Sequence, residues 1–122
     1  MVALVQEVKR RYPQAELMFN RGFEILERTH QHVSWVAAES LLQGYAAASQ
    51  SYRPVSLADR EWLLAQFNRI TDDYRLPVIV IDYVPLGKRT LARTTARDIA
   101  AMGFTPWVAT PDLTTVGVGL VD

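Results

Sequence analysis

The sequence predicts an α/β domain whose strands and helices alternate around a parallel sheet. Three observations carry this reading. Four short apolar runs, Ala15–Phe19, Trp35–Ala38, Pro77–Val84 and Phe104–Ala109, are separated by segments with helical spacing. The run Val78-Ile79-Val80-Ile81 is continuously β-branched, the pattern of a strand covered on both faces. The resulting order, α-β-α-β-α-β-α-β, is strictly alternating, which implies crossover connections and parallel pairing.

Taken in order, the chain opens in a helix. Val5, Val8 and Tyr12 fall at i, i+3 and i+7, and the helix stops near Pro13. This opening reads like the middle of a helix, so a piece of something longer is expected. The first strand ends in Asn20-Arg21-Gly22, and a short helix is predicted at about Glu24–Gln31. The second strand ends in Glu39-Ser40. Ser40–Val55, with Gly44, Tyr45, Tyr52, Arg53 and Pro54, is the longest irregular stretch. A loop of that length in a compact domain is usually functional. The clearest helix is Leu57–Tyr74. Ser56 suits its N-cap, Asp59 sits three residues on as in a capping box, and Leu63, Phe67, Ile70 and Tyr74 share a face. The third strand carries Asp82-Tyr83 near its end. The last helix, Lys88–Met102, packs through Leu91, Ala92, Ala96, Ile99 and Ala100, and Gly103 follows at C′. The fourth strand runs into Thr110-Pro111-Asp112. Trp35 and Trp62 are expected in the core, with Trp107 a further candidate.

Composition sets the bounds. The 122 residues are read as a single domain, 1–122, and 49% hydrophobic with 21% charged residues is globular. Thirteen Lys and Arg against thirteen Asp and Glu leave no basic stripe for nucleic acid and no polybasic membrane patch. With no cysteine, disulfides, zinc–thiolate sites and a Cys nucleophile are excluded, and the compartment stays open. No run approaches the roughly 18 apolar residues that cross a bilayer. Glu7, Lys9 and Arg10 interrupt any signal-peptide core. Two architectures fit: an open doubly wound sheet, or part of a (β/α)8 barrel. A complete barrel takes about 250 residues, so this chain would supply about half.

Both architectures bind ligands beyond the carboxyl ends of their strands. Each apolar run here finishes in polar or ionisable groups. Glu39 stands out. A carboxylate set directly on Val36-Ala37-Ala38 is partly desolvated, which would raise its pKa and suit a general acid. The alternative is an ion pair, with Arg21 on the neighbouring strand end as partner. Asp82 ends a hydrophobic run in the manner of a magnesium-binding strand of nucleotide hydrolases, yet no Gly-rich phosphate loop occurs. No cofactor is therefore expected. His30 and His32, two apart, face different ways and make no metal constellation. No Gly-x-Ser-x-Gly elbow is present. Tyr45 and Tyr52 lie on the long loop, Tyr83 at a strand end and Trp107 in the last strand, and aromatic faces near carboxylates suit a sugar cleft.

Four blocks carry a family resemblance: Leu17-Met18-Phe19-Asn20-Arg21-Gly22-Phe23-Glu24, Val36-Ala37-Ala38-Glu39-Ser40-Leu41, Pro77-Val78-Ile79-Val80-Ile81-Asp82-Tyr83-Val84 and Gly103-Phe104-Thr105-Pro106-Trp107-Val108. Together they resemble the endo-α-1,4-polygalactosaminidase group, the glycoside hydrolase family 114-like barrels, from about Val8 to Gly119. The resemblance implies a (β/α)8 TIM barrel that cleaves α-1,4-linked galactosamine or N-acetylgalactosamine exopolysaccharide in the periplasm or outside the cell. Glu39 matches the family's catalytic glutamate. Asn20, Arg21 and Asp82 would line the same cleft, with Tyr45, Tyr83 and Asp112 as further substrate contacts. The chain corresponds to roughly the last four of eight strands, and the family's other acidic residue lies on an earlier one. Glycoside hydrolysis takes two carboxyl groups, about 5–5.5 Å apart for retention and about 6.5–9.5 Å for inversion. Whether this chain acts as an enzyme alone is thus open, and a non-catalytic carbohydrate-binding or scaffolding fragment is the alternative.

Half a barrel leaves its end strands as open edges and its inner apolar face in water. The expected partners are therefore a polysaccharide and either a second copy or the N-terminal half of the barrel. Nucleic acid, membrane insertion and a metal are not expected.

Overall fold

The computed structural model describes residues 1–120; the last two residues of the predicted 1–122 domain lie outside the described residues. Helix α1 (Val2–Arg11) opens the chain, with Lys9, Arg10 and Arg11 at its negative end. Lys9 Nζ fastens the following turn by donating to the carbonyls of Pro13 (2.9 Å) and Ala15 (2.7 Å). Strand β1 (Met18–Asn20) leads through the one-turn helix α2 (Leu26–Thr29) to β2 (Trp35–Glu39). There follow β3 (Gln43–Ala46), β4 (Ser51–Pro54), α3 (Leu57–Asp73), β5 (Val78–Tyr83), α4 (Arg89–Ala101) and β6 (Thr105–Ala109).

The main sheet has the order β1-β2-β5-β6 with every pair parallel, so the predicted alternating α/β architecture is present. Three local expectations need correction. The Ser40–Val55 stretch is not irregular: β3 and β4 form an antiparallel hairpin within it. Tyr45 and Tyr52 are cross-strand partners whose rings meet edge to face at 5.0 Å, an aromatic pair that holds the register. The helix expected at Glu24–Gln31 is one α turn between 3₁₀ turns at Phe23–Ile25 and His30–His32. The first strand lies later than Ala15–Phe19. The carbonyl of Leu17 instead accepts from the amides of Ser34 and Trp35 at the start of the pairing.

Alternation along the strands sorts side chains to two faces. Val36, Val78 and Val80 point toward the helices and pack with Leu63, Phe67 and Ile70 of α3, Ile99 of α4, and Phe104. The opposite face carries Met18 beside Trp35, Ala37 beside Ile79, and Glu39, Ile81 and Trp107 in one row. No helix among the described residues covers it: Met18 is 59%, Trp35 38% and Trp107 45% exposed. The tryptophans expected in the core are thus not there. Two stand on the open sheet face, and Trp62 lies on the flank of α3 with its ring against Phe23 (5.9 Å between centroids).

Candidate active site

A cleft of about 910 Å³ opens at the carboxyl ends of the strands. Each element of the sheet contributes to it: Arg21 after β1, Glu39 at the end of β2, Tyr83 at the end of β5 and Pro111 after β6. The hairpin adds Gly44, Tyr45 and Arg53, and the first turns of α3 add Ser56, Asp59 and Trp62. Glu39 is half-buried there.

The backbone around Glu39 is fixed from two sides. After β1 the chain turns through two consecutive left-handed residues, Arg21 (φ 59°) and Gly22 (φ 66°). Gly22 is required twice over, because a Cβ would also stand 3.0 Å from the Phe19 ring. The turn directs the Arg21 amide to the carbonyl of Ala37 (2.7 Å) and its guanidinium Nη2 to the carbonyl of Glu39 (2.6 Å). Arg21 therefore grips the main chain of Glu39. The peptide that follows, Glu39–Ser40, is cis.

Asp82 works from the other side, and the expectation that it lines the cleft is corrected. It is fully buried. Its Oδ1 accepts the amide of Leu41 (2.7 Å), and its Oδ2 accepts those of Leu42 (2.8 Å) and Gln43 (2.7 Å). Burial pushes its carboxyl above the usual carboxylate range, against the opposite pull of the three amides. Next to it, Tyr83 faces the cleft. Burial raises its phenol above the ordinary value, and the charges of Glu39 and Asp82 add to the effect, so the ring stays a neutral hydrogen-bond donor.

Two further predicted contacts lie elsewhere. Asn20 borders a neighbouring cavity of about 750 Å³, and Arg21 is common to both hollows. Asp112 is exposed and spends its oxygens on its own loop: Oδ1 accepts from Thr110 Oγ1 (2.6 Å) and Oδ2 from Thr114 Oγ1 (2.9 Å). These donors hold its carboxyl below the usual range. Tyr45 lies in the cleft with Glu39, as do Arg21 and Tyr83.

Among the lining residues that the sequence reading of the site left out are Arg53, Asp59 and Trp62. Arg53 sat in a segment read as irregular. Asp59 serves the predicted cap, accepting from Ser56 Oγ at 2.7 Å while its own amide donates back to Ser56 Oγ at 3.2 Å. Trp62 was legible. It immediately precedes Leu63 and so sits about 100° off the core stripe of α3. Among the described residues no cluster of three or more His, Cys, Asp or Glu could hold a metal. The cleft offers a half-buried carboxylate, a neutral phenol, cationic side chains and aromatic faces. That combination can bind a polyhydroxylated ring and exchange a proton with it.

The family model of glycoside-hydrolase family GH114 matches residues 1–121. Among solved structures, the chain is similar to the glycoside hydrolase domain of PelA from Pseudomonas aeruginosa. The identity is 36% and the TM-score 0.92, over 99% of this chain and 47% of that one. A variant of that domain with a glutamate replaced by alanine matches at 35% identity, with the same TM-score and coverage. The chain thus spans about half the length of the domain it matches, consistent with a partial barrel. Comparison with curated proteins finds no match.

Proposed function

The chain belongs to glycoside-hydrolase family GH114, and we propose that it carries one half of a polysaccharide-cleaving site in which Glu39 is a catalytic carboxylate. The observation that carries this reading is the setting of Glu39, half-buried at the end of β2 in a cleft of about 910 Å³ flanked by tyrosines. The substrate class is an α-1,4-linked galactosamine or N-acetylgalactosamine polymer, on the strength of the family resemblance. The sugar C–H faces stack on Tyr45. The Tyr83 phenol and Arg21 take hydroxyl or acyl oxygens, and Asn20 extends the contact through the adjoining hollow. Action in the periplasm or outside the cell fits such a polymer. No helix among the described residues is long and apolar enough to cross a membrane.

Cleavage of a glycosidic bond takes one carboxyl group to protonate the leaving oxygen and another to attack or to activate water. Asp82 does not serve as the second, since both its oxygens are committed to buried amides. Asp59 lines the cleft but is tied into the α3 cap. The second carboxylate is therefore supplied from beyond these residues, on the strand that the family resemblance implies. The same scarcity supports the other reading, a carbohydrate-binding unit that does not cleave. The complete natural polypeptide, incubated with α-1,4-galactosaminoglycan and followed by new reducing ends, separates the two. Release of oligosaccharides supports the hydrolase. Saturable binding without product supports the binding unit, and neither binding nor release overturns both.

A further inference from the structure

We propose that Asp82 is a positioning residue that aims Glu39 by clamping three successive amides, those of Leu41, Leu42 and Gln43, that begin two residues beyond it. This rests on Glu39 being the acting carboxylate. A buried carboxylate that touches no substrate is a costly group to keep in a core of Val78, Val80 and Leu41 unless its hydrogen bonds do something. Here both oxygens act as acceptors, the arrangement suited to the ionised form. They bond to Leu41, Leu42 and Gln43, consecutive residues that begin two positions after Glu39. β2 ends at Glu39 and β3 begins at Gln43, so these residues connect the strand to the hairpin. The hairpin ladder begins at Gln43 opposite Pro54, and the Leu42 carbonyl accepts the Val55 amide at 2.9 Å, whereas the three amides find their acceptors on Asp82. Arg21 holds the carbonyl of Glu39 at 2.6 Å from the cleft side. The main chain of Glu39 is thus anchored by a cation before the turn and by an anion within it. The side chain's direction follows from those two anchors, and a displacement of about 1 Å at a reacting group can cost on the order of 100-fold in rate.

The test compares Asp82→Asn, Gln43→Pro and Glu39→Gln with the parent, all in the complete natural polypeptide. An asparagine presents an NH₂ group to amides that need acceptors. The proline removes a single donor to Asp82 and leaves the carboxylate in place. Hydrogen exchange on the parent should find the amides of Leu41, Leu42 and Gln43 protected relative to the hairpin tip. Asp82→Asn should lower kcat on the order of 10- to 100-fold, with KM and oligosaccharide affinity changed by less than about threefold. The pH profile of kcat should change as well, because the acting carboxylate no longer meets the substrate in the same geometry. Gln43→Pro should move the same quantities less. The proposal is overturned by unprotected amides, by a folded Asp82→Asn with parental kcat and pH profile, or by kcat and binding falling together. If Asp82→Asn does not fold, a parental kcat in Gln43→Pro overturns it alone. Glu39→Gln separates the two readings: retained turnover there refutes the role of Glu39, whereas lost turnover beside an active Asp82→Asn refutes only the clamp.

Discussion

At Asp82 a side chain predicted to face substrate turns out to be built into the wall behind it. The error has a readable cause. Proximity to a strand end says that a residue is near the site, but the parity of the strand says which way it points. Asp82 shares parity with Val78 and Val80, which face the helices, whereas Tyr83 shares parity with Ile79 and Ile81, which do not. The sequence held that information. What it did not hold was the path of residues 41–43 across the Asp82 carboxylate, a long-range contact. The raised carboxyl of Asp82 has a thermodynamic consequence. The native chain holds this proton more firmly than the unfolded chain does. Unfolding free energy therefore falls as pH climbs from the ordinary carboxylate range through the raised native value, where Asp82 ionises in place. Urea midpoints measured across that range should decline less steeply in Asp82→Asn than in the parent. Parallel curves would show that Asp82 does not titrate with folding.

Among the elements, those with strong local signals were legible. Helix α3 follows from its cap and its Leu63-Phe67-Ile70 stripe, and β5 from its β-branched run. The hairpin was not, because Gln43-Gly44-Tyr45-Ala46 and Ser51-Tyr52-Arg53-Pro54 are short and rich in residues that strands disfavour. Its stability comes from the Tyr45–Tyr52 pair and from the amides anchored on Asp82, neither visible as periodicity. The load on α3 is testable. Phe67 is fully buried and meets Phe23 and Phe104 edge to face, at 6.5 and 5.2 Å between centroids. Phe67→Ala should cost about 3–5 kcal/mol, read from chemical denaturation, with lost aromatic packing adding to the cavity. A loss below about 1 kcal/mol would mean that the α3–sheet core is not packed as described.

For the molecule as a whole, the parallel sheet buries one face under helices, and among the described residues no helix covers the other. Met18, Trp35 and Trp107 stand on that open face with the half-buried Ile79 and Ile81, and β1 and β6 are its outer strands. Exposed apolar surface of this kind drives association. The 122-residue chain by itself should therefore sediment as dimers or larger species, increasingly so with concentration, whereas a clean monomer at high concentration would contradict the half-barrel description. The open face also explains why Trp35, expected in the core, is exposed: among the described residues, helices cover only the other side of the sheet. All of these features converge on the strand-end cleft and its half-buried carboxylate. The most direct measurement is turnover of an α-1,4-galactosaminoglycan by the complete natural polypeptide carrying Glu39→Gln, alongside oligosaccharide affinity. A carboxamide keeps the shape and loses the proton chemistry, so kcat should fall on the order of 100-fold or more while affinity stays within a few-fold. Turnover within a few-fold of the parent would contradict the account.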